Sequence, residues 1–202
     1  MREKVLELKN LTMKFGGVTA LDSVDLDVYK GEICALIGPN GAGKTTVFNV
    51  ITGVYQATSG EIIFKGESIL GRKRHHITRF GLARTFQNVR LWGEMTALEN
   101  VITATDVHKR SGLLGALFGL PRMRREEKAD RQRAQELLDF MGIGHRADQL
   151  GKNLPYGDQR RLEIARAMGT NPQLLLLDEP AAGFNPAEKV ELAALIKRIR
   201  DA

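Results

Sequence analysis

The sequence predicts a mixed α/β domain with a mostly parallel core sheet, an antiparallel β portion near the N-terminus and an inserted helical lobe. Three observations support this architecture. Short β-type runs separated by turns fill the first half, and helical periodicity takes over from about Met95. A further apolar strand, predicted to be buried on both faces, follows the helices at 174–177. This order predicts a core over 1–87 and 156–202 and a helical lobe over about 88–155.

The individual elements follow from local patterns. The predicted strands of the first half cover 5–8, 24–28, 32–37 and 61–64. Turns that contain glycine lie between these strands. In the middle of the chain, apolar residues recur at helical spacing over 126–141, and this predicted helix ends at Gly142. A second helix is predicted over 159–168, before the last strand.

Length and composition indicate a globular domain. The chain has 202 residues, of which 43% are hydrophobic, so it can bury a substantial core. Its longest apolar runs, 113–120 and 174–177, are far shorter than the roughly 20 residues of a membrane-spanning helix. The first ten residues are charged and lack an apolar signal segment, so we expect a cytoplasmic location. The single cysteine, Cys34, lies in the apolar run 33–37 and is predicted to be a buried structural thiol.

The net charge of +6 is compatible with nucleic acid, an anionic membrane surface or a nucleotide, and it does not choose between them. The densest basic patches cover 72–76 and 122–125. Neither patch contains an aromatic residue that could stack on a base. We therefore expect these patches to be solvated surfaces.

A glycine-rich segment follows the predicted strand 32–37 and matches the phosphate-loop pattern G-x-x-x-x-G-K-[ST]. Its residues are Gly38, Pro39, Asn40, Gly41, Ala42, Gly43, Lys44, Thr45 and, extending it, Thr46. A helix is predicted to begin here, so backbone N–H groups would point at an anion. Lys44 is predicted to reach the β- and γ-phosphates of a nucleotide, and the Thr45 hydroxyl to bind Mg²⁺. The alternative, an ordinary glycine-rich turn, requires neither the lysine nor the hydroxyl.

Two adjacent carboxylates, Asp178 and Glu179, end the apolar strand 174–177. Burying two acids at a strand end is costly unless a metal ion or a reacting water uses them. Asp178 is therefore predicted to take part in Mg²⁺ coordination. Glu179 is predicted to be the general base that polarises the attacking water. A simple turn is the alternative for the pair taken alone.

A third motif, Leu-Pro-Tyr-Gly-Asp-Gln, covers 154–159 and precedes the second predicted helix. It resembles the signature motif of the ATP-binding subunits of ABC transporters, which have a P-loop NTPase fold. The resemblance implies that this segment of one subunit closes over the γ-phosphate bound by a second, homologous ATPase subunit, in a homodimer or a heterodimer. The implied contact residues are Leu154, Tyr156, Gly157, Asp158 and Gln159.

The same family implies roles for two further residues. Gln87, in the segment 84–88, matches the Q-loop glutamine, which contacts Mg²⁺ and the attacking water and joins the core to the helical lobe. Phe15 matches the aromatic residue that stacks on adenine. Each residue taken alone has an alternative. Gln87 could be an exposed glutamine without a role, and Phe15 a buried phenylalanine beside a Gly-Gly turn.

One branch of the family, the ATPases of branched-chain amino acid importers, is similar over essentially the whole chain. The matching segments are 14–17, 38–49, 84–91, 156–157 and 178–183. Importers for urea or short amides share much of this pattern, so they stay an alternative.

The implied function is ATP binding and hydrolysis that powers an importer, with ATP and Mg²⁺ as cofactors. The implied partners are integral membrane permease subunits, a homologous ATPase subunit and, indirectly, a periplasmic or extracellular substrate-binding protein, with no nucleic acid. The chain would lie as a peripheral subunit at the cytoplasmic face of the membrane. A short permease helix would bind near 87–91.

The sequence departs from the family pattern in three places. Pro155 stands where most signatures have a serine whose hydroxyl contacts the γ-phosphate, and Asn185 replaces a usual aspartate. No histidine follows Glu179, although relatives continue past Ala202 into a strand and a histidine that contacts the γ-phosphate. The sequence therefore predicts a C-terminally truncated ATPase, and its hydrolysis in isolation stays open.

Two alternatives come from other classes of protein. A non-hydrolysing regulatory ATP binder fits the truncation and Pro155, whereas Lys44 and Glu179 favour hydrolysis. An ABC protein that acts on ribosomes or DNA normally has two nucleotide domains or a long coiled-coil insertion, and the sequence shows neither. The run 113–120 could contact a partner or pack on the helical lobe, and both possibilities stay open.

Overall fold

Residues 2–87, 89–105 and 121–202 are described by the structure, a computed structural model, with only the backbone described at 121–124. The strands are β1 (Lys4–Phe15), β2 (Val18–Tyr29), β3 (Ser59–Phe64), β4 (Glu67–Ser68), β5 (Leu82–Arg84) and β6 (Leu174–Leu176). The helices are α1 (Lys44–Ile51), α2 (Arg74–Arg79), α3 (Ala97–Thr105), α4 (Pro121–Phe140), α5 (Tyr156–Gly169) and α6 (Pro186–Asp201). The predicted role of the run 113–120 lies outside the described residues.

The chain divides into two units, Met1–Leu82 with Lys189–Ala202 and Ala83–Glu188, and each is described by itself. In the first unit, an antiparallel sheet has the strand order β2-β1-β3-β4. The central strand β1 pairs Leu8 with Leu26 on one side and with Ile62 on the other. Leu8 and Ile62 are both buried, so the sheet and its apolar core are built by the same pairing.

In the second unit, the helices α3, α4 and α5 pack together. Val101, Leu138 and Leu162, one from each helix, are completely buried, and each large apolar side chain of this kind contributes about 1.5–3 kcal/mol. A reciprocal cap starts α3: the Thr96 amide donates to Glu99 Oε2 at 2.8 Å, and the Glu99 amide donates to Thr96 Oγ1 at 3.2 Å. The hydrogen bonds from Thr96 lower the pKa of Glu99.

The helix predicted over 126–141 is confirmed as part of α4, which ends one residue earlier at Phe140, and the helix predicted over 159–168 is confirmed as part of α5. The predicted strand 174–177 is confirmed as β6, although Leu174 and Leu175 are half-buried and not buried on both faces. The predicted division into a core and a lobe over about 88–155 stays a prediction. None of the helices in the described ranges is both long and apolar enough to cross a membrane.

The prediction of a strand over 32–37 is wrong. This segment has no regular secondary structure, and Ile37 is 92% exposed. The local signals for a strand were the apolar run and the glycine turn before it, and neither supplies a neighbouring strand to complete a hydrogen-bond ladder. Because no ladder covers the segment, Cys34 is exposed, so the prediction of a buried thiol is also wrong.

The sheet also differs from the predicted, mostly parallel core. Among the described strands, the larger sheet is antiparallel, and only β5 and β6 form a second sheet. The segment 32–37, one of the predicted strands, adds no strand to either sheet. The α/β class is nevertheless confirmed.

Candidate nucleotide-binding site

The glycine-rich loop 38–43 leads directly into α1 in the first unit. Gly41 and Gly43 have φ of +84° and +85°, a backbone conformation that side chains with a Cβ rarely adopt. At Gly43 a Cβ would also lie 2.6 Å from the carbonyl oxygen of Ala20. Glycine is therefore required at Gly43 by both conformation and space.

The start of α1 presents hydrogen-bond donors. Gly43 is the N-cap residue and makes no side-chain cap, so the first amides of the helix keep their capacity to bind an anion. The Lys44 ammonium donates to the carbonyl oxygens of Gly38 and Pro39, both at 2.7 Å. The loop thus folds around the positive charge of Lys44, and Thr45 follows as an exposed residue in the first turn.

Phe15 lies in the same unit, at the end of β1. Its ring is 42% exposed and makes an edge-to-face contact with Tyr55, with 5.1 Å between the ring centroids. The alternative of a buried phenylalanine is therefore excluded. Gly16, at φ +56°, makes the turn that ends the strand beside it.

The two carboxylates after β6 have different surroundings in the second unit. Asp178 is buried, and its Oδ2 accepts a hydrogen bond at 2.8 Å from Arg84 Nη2, with side-chain exposures of 7% and 6%. Glu179 is exposed and has φ of +46°, a strained conformation for a residue with a Cβ. The side-chain amide of Gln87 donates from Nε2 to Glu179 Oε2 at 3.2 Å. The structure thus brings the predicted Gln87 and Glu179 together.

The signature segment 154–159 spans the start of α5, which begins at Tyr156, in the same unit. Pro155 is the N-cap residue, and it makes no side-chain cap. Leu154 is buried, and its carbonyl oxygen accepts a hydrogen bond at 2.9 Å from the side chain of Gln159. Asp158 forms an ion pair with Arg146, with 2.6 Å between Oδ2 and Nε, so its negative charge is partly offset.

Three charged residues beside these motifs were not selected from the sequence. They are Arg84, Arg160 and Glu163, and all three side chains are almost completely buried. The signal in α5 was available: Arg160 and Glu163 occupy helical positions i and i+3 on the side that carries buried residues. Charged residues at buried positions of a helix require partners and so mark a polar network.

The predicted metal ligands fit Mg²⁺ by their chemistry. Across the described ranges, no group of three or more histidine, cysteine, aspartate or glutamate residues could hold a metal ion. Mg²⁺ does not need such a group, because it commonly takes one or two protein carboxylates together with water and phosphate oxygens. Thr45, Gln87 and Asp178 offer the oxygen donors that this ion prefers.

Comparisons with known proteins define the class. A family model described as ABC transporter matches residues 21–182. The chain is 48% identical over 200 residues to the high-affinity branched-chain amino acid transport ATP-binding protein BraF of Pseudomonas aeruginosa, covering 99% of this chain and 78% of that protein. It is 46% identical over 201 residues to LivG of Escherichia coli, which has the same descriptive name, with 100% and 79% coverage.

Two solved structures of ATP-binding cassettes are also similar to this chain. The ADP conformation of MJ1267, an ATP-binding cassette of an ABC transporter, is similar with a TM-score of 0.82 and 31% identity, covering 98% of this chain and 77% of that one. The dimeric post-hydrolysis state of the cassette MJ0796, bound to ADP and Pi, is similar with a TM-score of 0.79 and 28% identity, at 96% and 82% coverage.

The fold and these relatives together define an ATPase domain of the ATP-binding cassette class. The chain belongs to the ABC transporter family. The predicted resemblance, the P-loop NTPase fold class and the ATPase activity are thereby confirmed.

We predict that breaking the buried ion pair of Arg84 and Asp178 strongly destabilises the protein. Arg84→Met leaves a buried carboxylate without this partner and should lower the free energy of unfolding by about 3–5 kcal/mol. Urea titration of the single variants Arg84→Met and Asp178→Asn and of the double variant should show coupling of roughly 1 kcal/mol or more.

The matched control is Arg72→Met. It breaks the ion pair of Arg72 and Glu67 on the protein surface, where Nη2 lies 3.0 Å from Oε2. It should cost less than about 1 kcal/mol. Equal losses for Arg84→Met and Arg72→Met would contradict the prediction.

Proposed function

We propose that this chain binds MgATP, hydrolyses it with a second ATPase subunit and powers the import of branched-chain amino acids. The observation that carries the proposal is the phosphate loop, in which Lys44 lies at 2.7 Å from the carbonyls of Gly38 and Pro39 at the start of a helix. The relatives' names support the transported class, since BraF and LivG are both branched-chain amino acid transport proteins. An importer for urea or short amides remains the alternative.

Nucleotide binding uses groups of the first unit. Phosphate oxygens replace the Gly38 and Pro39 carbonyls as partners of Lys44, because an ammonium binds an anionic oxygen more strongly than a neutral carbonyl. The backbone amides of the glycine-rich segment and of the first turn of α1 provide further donors. Adenine stacks on the exposed face of Phe15, whose edge-to-face contact with Tyr55 fixes the ring.

The metal-binding residues are Thr45, Gln87 and Asp178. Mg²⁺ held by these residues would neutralise charge on the phosphate oxygens and orient them. Arg84 Nη2 donates to Oδ2 of Asp178 at 2.8 Å, and this ion pair orients the carboxylate that we assign to the metal.

Hydrolysis uses Glu179 as the general base. Its carboxylate is exposed. The hydrogen bond from Gln87 Nε2 to Glu179 Oε2, at 3.2 Å, orients it. The attacking water transfers its proton to Glu179 while its oxygen bonds to the γ-phosphorus, and the bond to ADP breaks. The two neighbouring carboxylates thus have separate tasks, since Asp178 is already held by Arg84.

The second subunit contributes its signature segment. The amides around Gly157, at the start of α5, are donors for the partner nucleotide's γ-phosphate, because Pro155 makes no side-chain cap. Proline offers no hydroxyl for this contact. The ion pair of Asp158 with Arg146 reduces repulsion between the carboxylate and the phosphate. The MJ0796 dimer bound to ADP and Pi supports a dimeric site by analogy.

A permease subunit is the partner that links hydrolysis to import, at the cytoplasmic face of the membrane. The segment after Gln87 carries exposed apolar side chains, with Trp92 58% exposed and Met95 also exposed. Buried Asn100 fixes this segment: its Oδ1 accepts from the Trp92 amide at 2.9 Å, and its Nδ2 donates to the Trp92 carbonyl at 3.0 Å. A rigid backbone with exposed apolar side chains suits a short permease helix.

ATP binding is tested with Lys44→Ala. The substitution removes the charged donor to the phosphates and should weaken MgATP binding about 10- to 100-fold in isothermal titration calorimetry. Lys30→Ala is the matched control, since Lys30 is exposed and its ammonium lies 3.6 Å from Glu3. Equal MgATP affinity in all three proteins would overturn the proposed phosphate loop.

Permease binding is tested with Trp92→Glu. A charge at this exposed apolar position should reduce co-purification of the permease subunits about tenfold or more, because aromatic residues dominate binding at such contacts. Val190→Glu places the same charge at an exposed position in α6 and should leave recovery unchanged. Normal recovery with Trp92→Glu would sink the proposed placement.

A further inference from the structure

The guanidinium of Arg160 lies inside the second unit, where Arg160 is only 4% exposed. Its Nη1 donates to the carbonyl oxygen of Phe86 at 2.9 Å, and its Nη2 donates to the carbonyl oxygen of Gln87. A buried cation is costly unless its donors are satisfied. Arg160 therefore binds two successive carbonyls of the loop that carries Gln87.

Glu163, one turn further along α5, completes this contact. Its Oε2 lies 3.3 Å from Arg160 Nη1, and its Oε1 accepts a hydrogen bond from the Phe86 amide at 3.1 Å. Phe86 is in neither a helix nor a strand, so side chains of α5 take the place of a secondary-structure partner. The backbone N–H and the carbonyl oxygen of Phe86 are thus both bound by side chains of α5.

Tyr156 connects the same group to a third segment. Arg160 Nε donates to the Tyr156 hydroxyl at 3.0 Å, and this hydroxyl donates to the carbonyl oxygen of Ala182 at 3.2 Å. The tyrosine ring also lies against Gly183, where an added Cβ would be 3.0 Å from Tyr156 Cε1. Ala182 and Gly183 follow Glu179 closely along the chain.

We propose that Arg160 is a positioning residue that couples the Gln87 loop to the signature segment of the same subunit. Because the nitrogens of one guanidinium contact both segments, a displacement of the Gln87 backbone must displace the start of α5 or break hydrogen bonds to a buried cation. Contacts made by Gln87 at one nucleotide are thereby transmitted to the signature segment, which binds the other nucleotide. This inference rests on the proposed ATPase mechanism and assigns a residue that the mechanism did not use.

The geometry requires arginine. Nε, Nη1 and Nη2 point to different partners, which are a hydroxyl and two carbonyls, with the Glu163 carboxylate beside Nη1. A lysine ammonium carries the same charge but cannot reach these partners at once, because its three donors leave a single nitrogen. Arg160→Lys therefore keeps the charge and removes the connection.

The test compares Arg160→Lys and Tyr156→Phe with the wild-type protein. MgATP affinity is measured by calorimetry on the chain, and kcat and KM for ATP on the assembled transporter. Arg160→Lys should bind MgATP within about twofold of wild type while kcat falls about tenfold or more. Tyr156→Phe, which loses only the hydroxyl link to Ala182, should lower kcat by a smaller factor at unchanged KM.

Arg133→Met is the control, because it removes an exposed arginine whose Nη2 donates to Asn171 at 3.0 Å in the same unit, and it should keep kcat. The single tryptophan, Trp92, gives a readout without turnover: its MgATP-induced fluorescence change should be altered in Arg160→Lys but not in Arg133→Met.

Wild-type kcat and fluorescence response in Arg160→Lys would overturn the inference. So would an equal loss of MgATP affinity and kcat, which is the result of a purely structural role. If the wild-type protein itself failed to bind MgATP, the proposed function would fail instead, so the two failures are distinguishable.

Discussion

The buried pair of Arg160 and Glu163 is the interaction on which the second unit depends. Both side chains are almost completely buried, and together they bind the amide and carbonyl of Phe86 and the carbonyl of Gln87. Without them, this loop would have buried peptide groups and no partner strand or helix. Removal of either residue alone would also leave the other as an uncompensated buried charge, so the two charges depend on each other. The position of Gln87, and through it the orientation of Glu179, follows from this pair.

A second constraint separates the tasks of neighbouring acids. Arg84 neutralises Asp178 inside the unit, whereas the left-handed conformation of Glu179 turns the next side chain outward. Two carboxylates in one environment would repel each other and compete for protons. Here one is oriented by a buried cation and the other by a neutral side-chain amide, which fits the separate roles that we propose for them.

The parts of this protein that the sequence predicted correctly have local sequence signals. The phosphate loop is defined by glycines that adopt positive φ beside a lysine, and α5 by helical spacing and a terminal glycine. By contrast, the partner of Asp178 is Arg84, 94 positions away, and no local pattern indicates such a pairing. The segment 32–37 was misassigned because an apolar run specifies burial only where another strand covers it, and Cys34 was misassigned for the same reason.

The most direct test of this account is native-state hydrogen exchange at the Phe86 amide, in the absence of nucleotide. This amide lies in a loop, so without the hydrogen bond to Glu163 it would exchange almost as fast as in an unfolded chain. The account predicts protection within roughly tenfold of the amides inside α5, such as that of Ile164, because Phe86 is released only when the helix side chains separate from it. Exchange at the rate of an unprotected loop would contradict the account, since the Gln87 loop would then move independently of the signature helix.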